Sequence, residues 1–96
     1  MKTINTLFNQ MVSQVPPEVK QEIDFEMDIS NRIDSLMKKH HLTKLEFARK
    51  LGKRPSEITK WLSGQHNFTL RTISLLSTFF GERIIEVYQN KNNRMG

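Results

Sequence analysis

Residues 42–73 read LTKLEFARKLGKRPSEITKWLSGQHNFTLRTI, and this stretch decides the fold. Thr43 followed three residues later by Glu46 has the capping-box spacing that begins a helix, and Gly52 is a residue type that ends one. Pro55 presets the first turn of a second helix. The stretch therefore predicts two short helices joined by a turn of about four residues that contains a glycine.

Apolar spacing gives each of these helices an inner face. The predicted inner-face residues are Leu45, Ala48 and Leu51 in the first helix and Ile58, Trp61 and Leu62 in the second. Four positions within residues 48–61 form the predicted core of the motif. Ala48 is small where the helices cross, and Gly52 permits a positive φ in the turn. Ile58 and Trp61 hold the second helix against the first.

A further helix follows the polar loop at residues 65–67. Thr69 is its predicted N-cap and Gly81 its predicted end. Its predicted inner-face residues are Leu70, Ile73, Leu76 and Phe80. Residues 84–88 have high β propensity, which predicts a short strand that needs a partner, and residues 90–96 are predicted to fray.

Residues 17–40 contain no helix breaker after Pro17, which suits a first helical position. Two apolar stripes occur in this range, the first at Val19, Ile23 and Met27 and the second at Ile29, Ile33, Leu36 and Met37. The shift between the stripes is compatible with one long helix whose buried face changes partner. It is equally compatible with two helices that meet around residues 28–30.

The start of the chain, residues 1–15, carries the spacing of an amphipathic helix with Thr3 as its cap. Its apolar residues are Ile4, Leu7, Phe8, Met11 and Val15. An isolated helix of about a dozen residues is marginal in water. This arm is therefore expected to dock on its own domain, on a second subunit or on another protein.

The composition bounds the class of protein. The chain has 96 residues, of which 36% are hydrophobic and 26% charged, and this fits one small soluble domain. So short a chain leaves little room for a large enclosed cavity, which favours a binding module over an enzyme. Without cysteine there are no disulfides or thiolate metal sites, and the histidines lack i, i+4 spacing, so no metal and no cofactor are expected. Short apolar runs exclude a membrane span and a signal-peptide core, and we expect a cytoplasmic protein.

Charge is segregated along the chain, whose formal net charge is +5. Residues 1–37 hold three basic and six acidic side chains, whereas residues 38–71 hold nine basic and two acidic ones. A basic block on a compact segment favours a polyanionic partner, with nucleic acid first and a membrane surface second. On charge alone, a solvated face is an equal alternative.

Two short helices joined by a glycine-containing turn are typical of the helix-turn-helix, in which the second helix lies in the DNA major groove. The outward residues of the second helix are the predicted base contacts: Ser56, Glu57, Thr59 and Lys60. The predicted phosphate contacts are Lys44, Lys53, Arg54, Gln65, His66 and Asn67. Because one such helix touches too little DNA for specificity, we expect a homodimer on a near-palindromic operator with half-sites about 34 Å apart.

The quoted stretch resembles the lambda-repressor/Cro-like helix-turn-helix family, often called Xre, over about residues 29–81. The run LGKRPSEITKWLSGQHNFTLRTISLL at residues 51–76, preceded by a long helix, looks most like HigA-type antitoxins. The resemblance implies a lambda-repressor-like all-α bundle with an N-terminal helical extension and a short C-terminal strand or tail. It also implies a repressor and antitoxin that autoregulates its operon and neutralises a ribonuclease toxin. Lys44, where many relatives have Gln, and Phe68, where Pro is common, depart from the family pattern.

The chain is thus expected to comprise a helical arm at residues 1–27, a helix-turn-helix DNA-binding domain at 28–81, and a strand and tail at 82–96. The arm joins an apolar helix to an acidic segment, and together they are predicted to bind a small basic protein such as a ribonuclease toxin. The predicted partner-binding residues are Ile4, Leu7, Phe8, Met11, Glu18, Glu22 and Glu26. Two alternatives stay open: a stand-alone Xre-type regulator without a toxin, and a helical module that binds protein or RNA.

Overall fold

The computed structural model describes residues 14–89, which fold into four α-helices. The helices are α1 (Pro17–Lys39), α2 (Lys44–Leu51), α3 (Pro55–Trp61) and α4 (Leu70–Phe80). No residue between 14 and 89 lies in a β-strand, and the predicted all-α class is confirmed. No helix in this part of the chain is both long and apolar enough to cross a membrane. The predicted amphipathic helix at the start of the chain, apart from its last two residues, and the predicted fraying at 90–96 lie outside the described residues.

The first helix, α1, is continuous over 23 residues, which decides between the two arrangements that the sequence left open. Its second apolar stripe enters the core, where the buried members are Ile33, Leu36 and Met37. Its first stripe stays exposed at Val19, Ile23 and Met27. The C-terminal half of α1 is therefore part of the bundle, and the N-terminal half extends along its outside. The domain boundary expected at residue 28 falls inside this helix.

The predicted start and stop signals around α2 are present. Thr43 Oγ1 accepts the Glu46 backbone N–H at 3.1 Å, and Glu46 Oε1 accepts the Thr43 N–H at 3.0 Å, which completes the capping box. Gly52 ends the helix with a left-handed φ of +68°. Pro55 occupies the first position of α3. Interactions between residues that are close in the sequence therefore set the ends of both short helices.

The last helix, α4, also begins and ends where the sequence predicted. Thr69 Oγ1 accepts the Thr72 backbone N–H at 3.1 Å, and Gly81 follows the helix with φ +70°. The buried residues of α4 are Ile73, Leu76 and Phe80. Three of the four side chains predicted for the inner face of this helix therefore lie in the core.

Two leucines predicted to face the core are exposed instead. Leu45 is 62% exposed and Leu70 is 74% exposed. Phe47 takes the inward position of α2, where it is fully buried and its ring centroid lies 6.2 Å from that of Trp61. At about 100° per residue, Leu45 lies roughly 110° away from the face centred between Phe47 and Ala48. Leu70 is likewise about a quarter turn from the buried face of α4.

Residues 84–88 do not form the predicted strand. The described part of the chain offers no other strand to pair with, so the β propensity of this segment is not realised. Instead Ile84 is buried, and its backbone N–H donates to Ser77 Oγ at 3.1 Å. Arg32 Nη2 donates to the Arg83 carbonyl at 2.9 Å. The segment after α4 is therefore laid back against α1 and α4 in an irregular conformation.

All four helices contribute to one apolar core. Its largest fully buried side chains are Phe47, Ile33, Leu36, Ile58 and Leu76. Each such side chain stabilises the fold by about 1.5–3 kcal/mol relative to an exposed one. Since α3 supplies Ile58 to this core, the core fixes which face of α3 points outward.

Candidate nucleic-acid interface

The turn between α2 and α3 is fixed by backbone geometry and by buried side chains. Gly52 is left-handed, and the Lys53 N–H donates to the Ala48 carbonyl at 2.8 Å. Ala48 and Ile58 are buried, and Trp61, only 6% exposed, meets the Phe47 ring edge-on. The short helix α3 therefore has a defined orientation relative to α2.

One face of α3 is open to solvent because the opposite face is buried. Ser56, Thr59 and Lys60, three of the four predicted base contacts, are exposed. Ile58 and Trp61, which alternate with them, lie in the core. A helix held by one face in this way presents polar side chains in fixed positions, as recognition of base edges requires.

Two of the predicted base contacts also form hydrogen bonds with the N-terminal end of α3. Glu57, which is half-buried, accepts the Arg54 backbone N–H on Oε1 at 3.0 Å. Thr59 Oγ1 donates to the Pro55 carbonyl at 3.2 Å. Glu57 keeps one carboxylate oxygen for another donor, and Thr59 keeps its acceptor capacity and its methyl group. This capping role of Glu57 was not predicted, although Glu57 lies three residues after Arg54, the same spacing that predicted Glu46 as part of a capping box.

Three cations predicted to contact phosphates surround the start of α2 and the turn before α3. Lys44 is the first residue of α2, and Lys53 and Arg54 form the end of the turn. All three are exposed, and none takes part in an ion pair among residues 14–89. Exposed cations without a carboxylate partner are available to bind an anion.

The loop after α3 carries the other three predicted phosphate contacts. Gln65 is exposed, and its backbone N–H donates to Ser63 Oγ at 3.0 Å. His66 is half-buried and meets the Phe68 ring edge-on at a centroid distance of 4.7 Å. Asn67 Nδ2 donates to Glu22 Oε2 at 3.4 Å. Gln65 is thus open to solvent, whereas Asn67 is tied to the acidic half of α1.

Ser30, which the sequence analysis did not single out, holds the end of α3. It is 2% exposed, and its Oγ donates to the Trp61 carbonyl at 2.6 Å and accepts the Gly64 N–H at 3.1 Å. Met27 packs on Gly64, where an added Cβ would lie 3.0 Å from the Met27 sulfur. The only signal in the sequence is a small polar residue next to the second apolar stripe of α1.

The predicted partner-binding residues fall into two groups. Ile4, Leu7, Phe8 and Met11 lie outside the described residues. Glu18 and Glu22 are exposed on α1, and Glu26 is half-buried. Among residues 14–89, no cluster of three His, Cys, Asp or Glu side chains is arranged to hold a metal ion.

Comparison with known families gives a match. A family model described as helix-turn-helix matches residues 33–87, which is more than half of the chain. This range contains α2, α3 and α4 in full, the C-terminal part of α1, and most of the segment after α4. Comparisons with curated proteins and with solved structures find no match.

Proposed function

The chain belongs to the helix-turn-helix family, and from that premise we propose that it is a sequence-specific DNA-binding transcriptional repressor. The observation that carries the proposal is the exposed polar face of α3, on a helix whose opposite face is buried. An α-helix fits the major groove, where each base pair presents its own pattern of donors and acceptors. In this proposal the chain acts by binding and is not an enzyme.

The side chains of α3 read the bases. Lys60 donates to guanine acceptors, and Ser56 donates or accepts. Thr59, whose hydroxyl donates to the Pro55 carbonyl, accepts from a base or touches a thymine methyl. Glu57 accepts from cytosine through the carboxylate oxygen that the Arg54 N–H leaves unused. The phosphate contacts, which fix the register of the helix, come from Lys44, Lys53, Arg54, Gln65, His66 and Asn67.

The repressor acts as a homodimer in this proposal. A single helix of 7 residues contacts only a few base pairs, which is too little for a unique site. Two copies of α3 related by a two-fold axis read half-sites about 34 Å apart, so the operator is a near-palindrome.

The test is selection of duplex DNA from a random library by the full chain, followed by gel-shift titration of the selected site. Lys60→Ala is expected to cost about 1–3 kcal/mol of binding free energy and to relax specificity at one position of each half-site. Arg54→Ala is expected to weaken binding to all sequences alike. Lys20→Ala removes one exposed lysine from the acidic half of α1 and serves as the matched control, with unchanged affinity. Equal, sequence-independent losses in Lys60→Ala and Arg54→Ala would favour a non-specific polyanion-binding module.

We further propose that the repressor is an antitoxin that autoregulates its operon and neutralises a ribonuclease toxin. The support is the acidic N-terminal half of α1, where Glu18 and Glu22 are exposed, since a ribonuclease needs a cationic groove for RNA. The alternative is a stand-alone regulator without a toxin.

Co-expression separates these alternatives. If a small basic protein encoded beside this gene arrests growth, the full chain should restore growth, and a variant with Glu18, Glu22 and Glu26 changed to Lys should not. A neighbouring gene product without toxicity supports the stand-alone regulator. DNA binding is expected in either case.

A further inference from the structure

A groove of about 550 Å³ lies between the N-terminal half of α1, residues 67–68 and the segment after α4. Its apolar lining residues are Phe25, Ile29, Phe68, Ile84, Ile85 and Val87. None of the proposed base-contacting residues lines it, and of the proposed phosphate contacts Asn67 alone does. The groove is therefore distinct from the exposed face of α3.

Part of the apolar lining of this groove is not covered by the described part of the chain. Phe25 is 58% exposed and Val87 is 70% exposed. Tyr88, which shares an adjoining depression with both, is 99% exposed. Single exposed apolar residues are ordinary, but a contiguous apolar patch with a polar rim marks a surface that another molecule covers.

Acidic side chains form the rim of the groove. They are Glu22, Glu26, Asp28 and Glu86. Among residues 14–89, the only ion pair of these four carboxylates joins Glu86 to Arg83 at 3.8 Å. Glu22 also accepts the weak hydrogen bond from Asn67 at 3.4 Å. The rim thus has unneutralised negative charge beside an apolar floor.

The charge of the rim excludes two occupants. A nucleic acid is repelled by the carboxylates. A second copy of this chain, packed about a two-fold axis that passes through the groove, would set each rim against the same acidic rim of its partner, and like charges across an interface cost several kcal/mol in general. The occupant that fits is apolar on one side and cationic around it.

We propose that this groove docks a cationic amphipathic segment of a second protein. Apolar side chains of that segment cover Phe25 and Val87, and its Lys or Arg side chains pair with the acidic rim. This inference rests on the proposed function, in which the partner is a small basic protein. It places the docking site where α1 meets the segment after α4. This location differs from the surface that the sequence predicted, because it includes residues 84–87.

The probe is a displayed library of random 15-residue peptides, selected on the full chain in the absence of DNA. Enriched peptides are expected to combine Lys or Arg with Leu, Ile or Phe at helical spacing. For a synthetic peptide of this kind, Phe25→Asp and Glu26→Lys are each expected to weaken binding by about tenfold or more. Two matched controls lie outside the groove: Asp24→Lys also replaces a carboxylate by a lysine on the same helix, and Leu45→Asp changes an exposed leucine of α2. Both controls are expected to bind within about twofold of the unaltered chain.

Several results would overturn the proposal. They are the absence of enriched peptides, enrichment of acidic peptides, an equal loss of binding in Asp24→Lys, and a dimer that dissociates in Phe25→Asp on sedimentation. Thermal unfolding of Phe25→Asp and Glu26→Lys checks that each variant is folded, and an unfolded Phe25→Asp leaves Glu26→Lys as the deciding variant. The toxin proposal can fail separately. In that case the chain does not restore growth in the co-expression assay, while the peptides still bind the groove. The peptide assay contains no DNA, so a failure of DNA binding does not change its result.

Discussion

The backbone groups at the end of α3 are satisfied by one side chain from another helix. The Ser30 hydroxyl both donates to the Trp61 carbonyl and accepts the Gly64 N–H, at 2.6 and 3.1 Å. Buried donors and acceptors without a partner cost about 1–3 kcal/mol. Ser30 therefore fixes where the proposed reading helix ends, although it lies on α1 and is buried.

Ser30→Ala is expected to lower the free energy of unfolding by about 1–3 kcal/mol, because it leaves the Trp61 carbonyl and the Gly64 N–H without their partner. Urea unfolding measures the change. Ser35→Ala, an exposed serine on the same helix, is the control and is expected to change stability by less than about 0.5 kcal/mol. Equal effects of the two substitutions would show that the Ser30 hydrogen bonds do not stabilise the fold.

Two residues have a left-handed backbone conformation, and substitutions at them are expected to change stability in opposite directions. Gly52 has φ +68° and nothing within 4 Å of an added Cβ, so Gly52→Ala is expected to destabilise by about 1–2 kcal/mol through backbone strain alone. His41 has φ +54° although it is not glycine, so His41→Gly is expected to stabilise by up to about 1 kcal/mol. Thermal unfolding of both variants measures the signs. The same sign for both would rule out backbone strain as the cause.

At the scale of the helices, the capping box of α2 links stability to pH. Hydrogen bonds from the Thr43 backbone N–H and hydroxyl hold the pKa of Glu46 below its ordinary value of 4.5. A carboxyl group with a lowered pKa in the folded state stabilises the fold when it is ionised. This stabilisation is present above the ordinary pKa and is lost as the pH falls through the lowered one.

Glu46→Ala is expected to be less stable than the unaltered chain at neutral pH, and this difference should shrink below about pH 4. Urea unfolding at several pH values measures it. Asp24→Ala removes a carboxylate of α1 that makes no hydrogen bond with the described residues, and its effect on stability should depend less on pH. A pH-independent difference for Glu46→Ala would mean that the ionised carboxylate is not what stabilises the helix start.

The ends of the helices were predictable because they depend on residues three or four apart. Thr43, Gly52 and Thr69 act through their own backbone neighbours, so their spacing in the sequence suffices. The rotation of α2 was not predictable. Its apolar residues span an arc of about 160°, with Phe47 at one edge and Leu45 at the other, and only packing against the other helices selects Phe47 over Leu45 as the inward side chain.

Some features of the candidate site were predictable from the sequence, and others were not. The exposed face of α3 follows from its buried face, because the sequence places Ile58 and Trp61 inward. The contacts of Ser30 with Trp61 and Asn67 with Glu22 join residues 31 and 45 positions apart, and no local pattern encodes them. The strand predicted at residues 84–88 failed for the same reason, since a strand depends on a distant partner.

At the scale of the whole molecule, the segregated charges occupy different surfaces. Six exposed cations lie on α2, on α3 and in the turn between them, and five of the ten acidic side chains lie on the N-terminal half of α1. The two surfaces approach each other at Asn67, which bonds to Glu22. The distribution of charge, more than the net charge of +5, therefore decides which side of the molecule faces a polyanion.

The salt dependence of DNA binding tests this arrangement and the proposed dimer together. With Lys44, Lys53 and Arg54 each neutralising one phosphate, log affinity against log salt should have a slope of roughly −3 for one bound chain and about −5 for two. Fluorescence anisotropy over a range of KCl concentrations measures the slope. Arg54→Ala should make it shallower by about 1 for each bound chain, whereas Lys20→Ala, on the acidic half of α1, should leave it unchanged. A slope that Lys20→Ala changes as much as Arg54→Ala does would mean that the nucleic acid lies across a different face of the molecule.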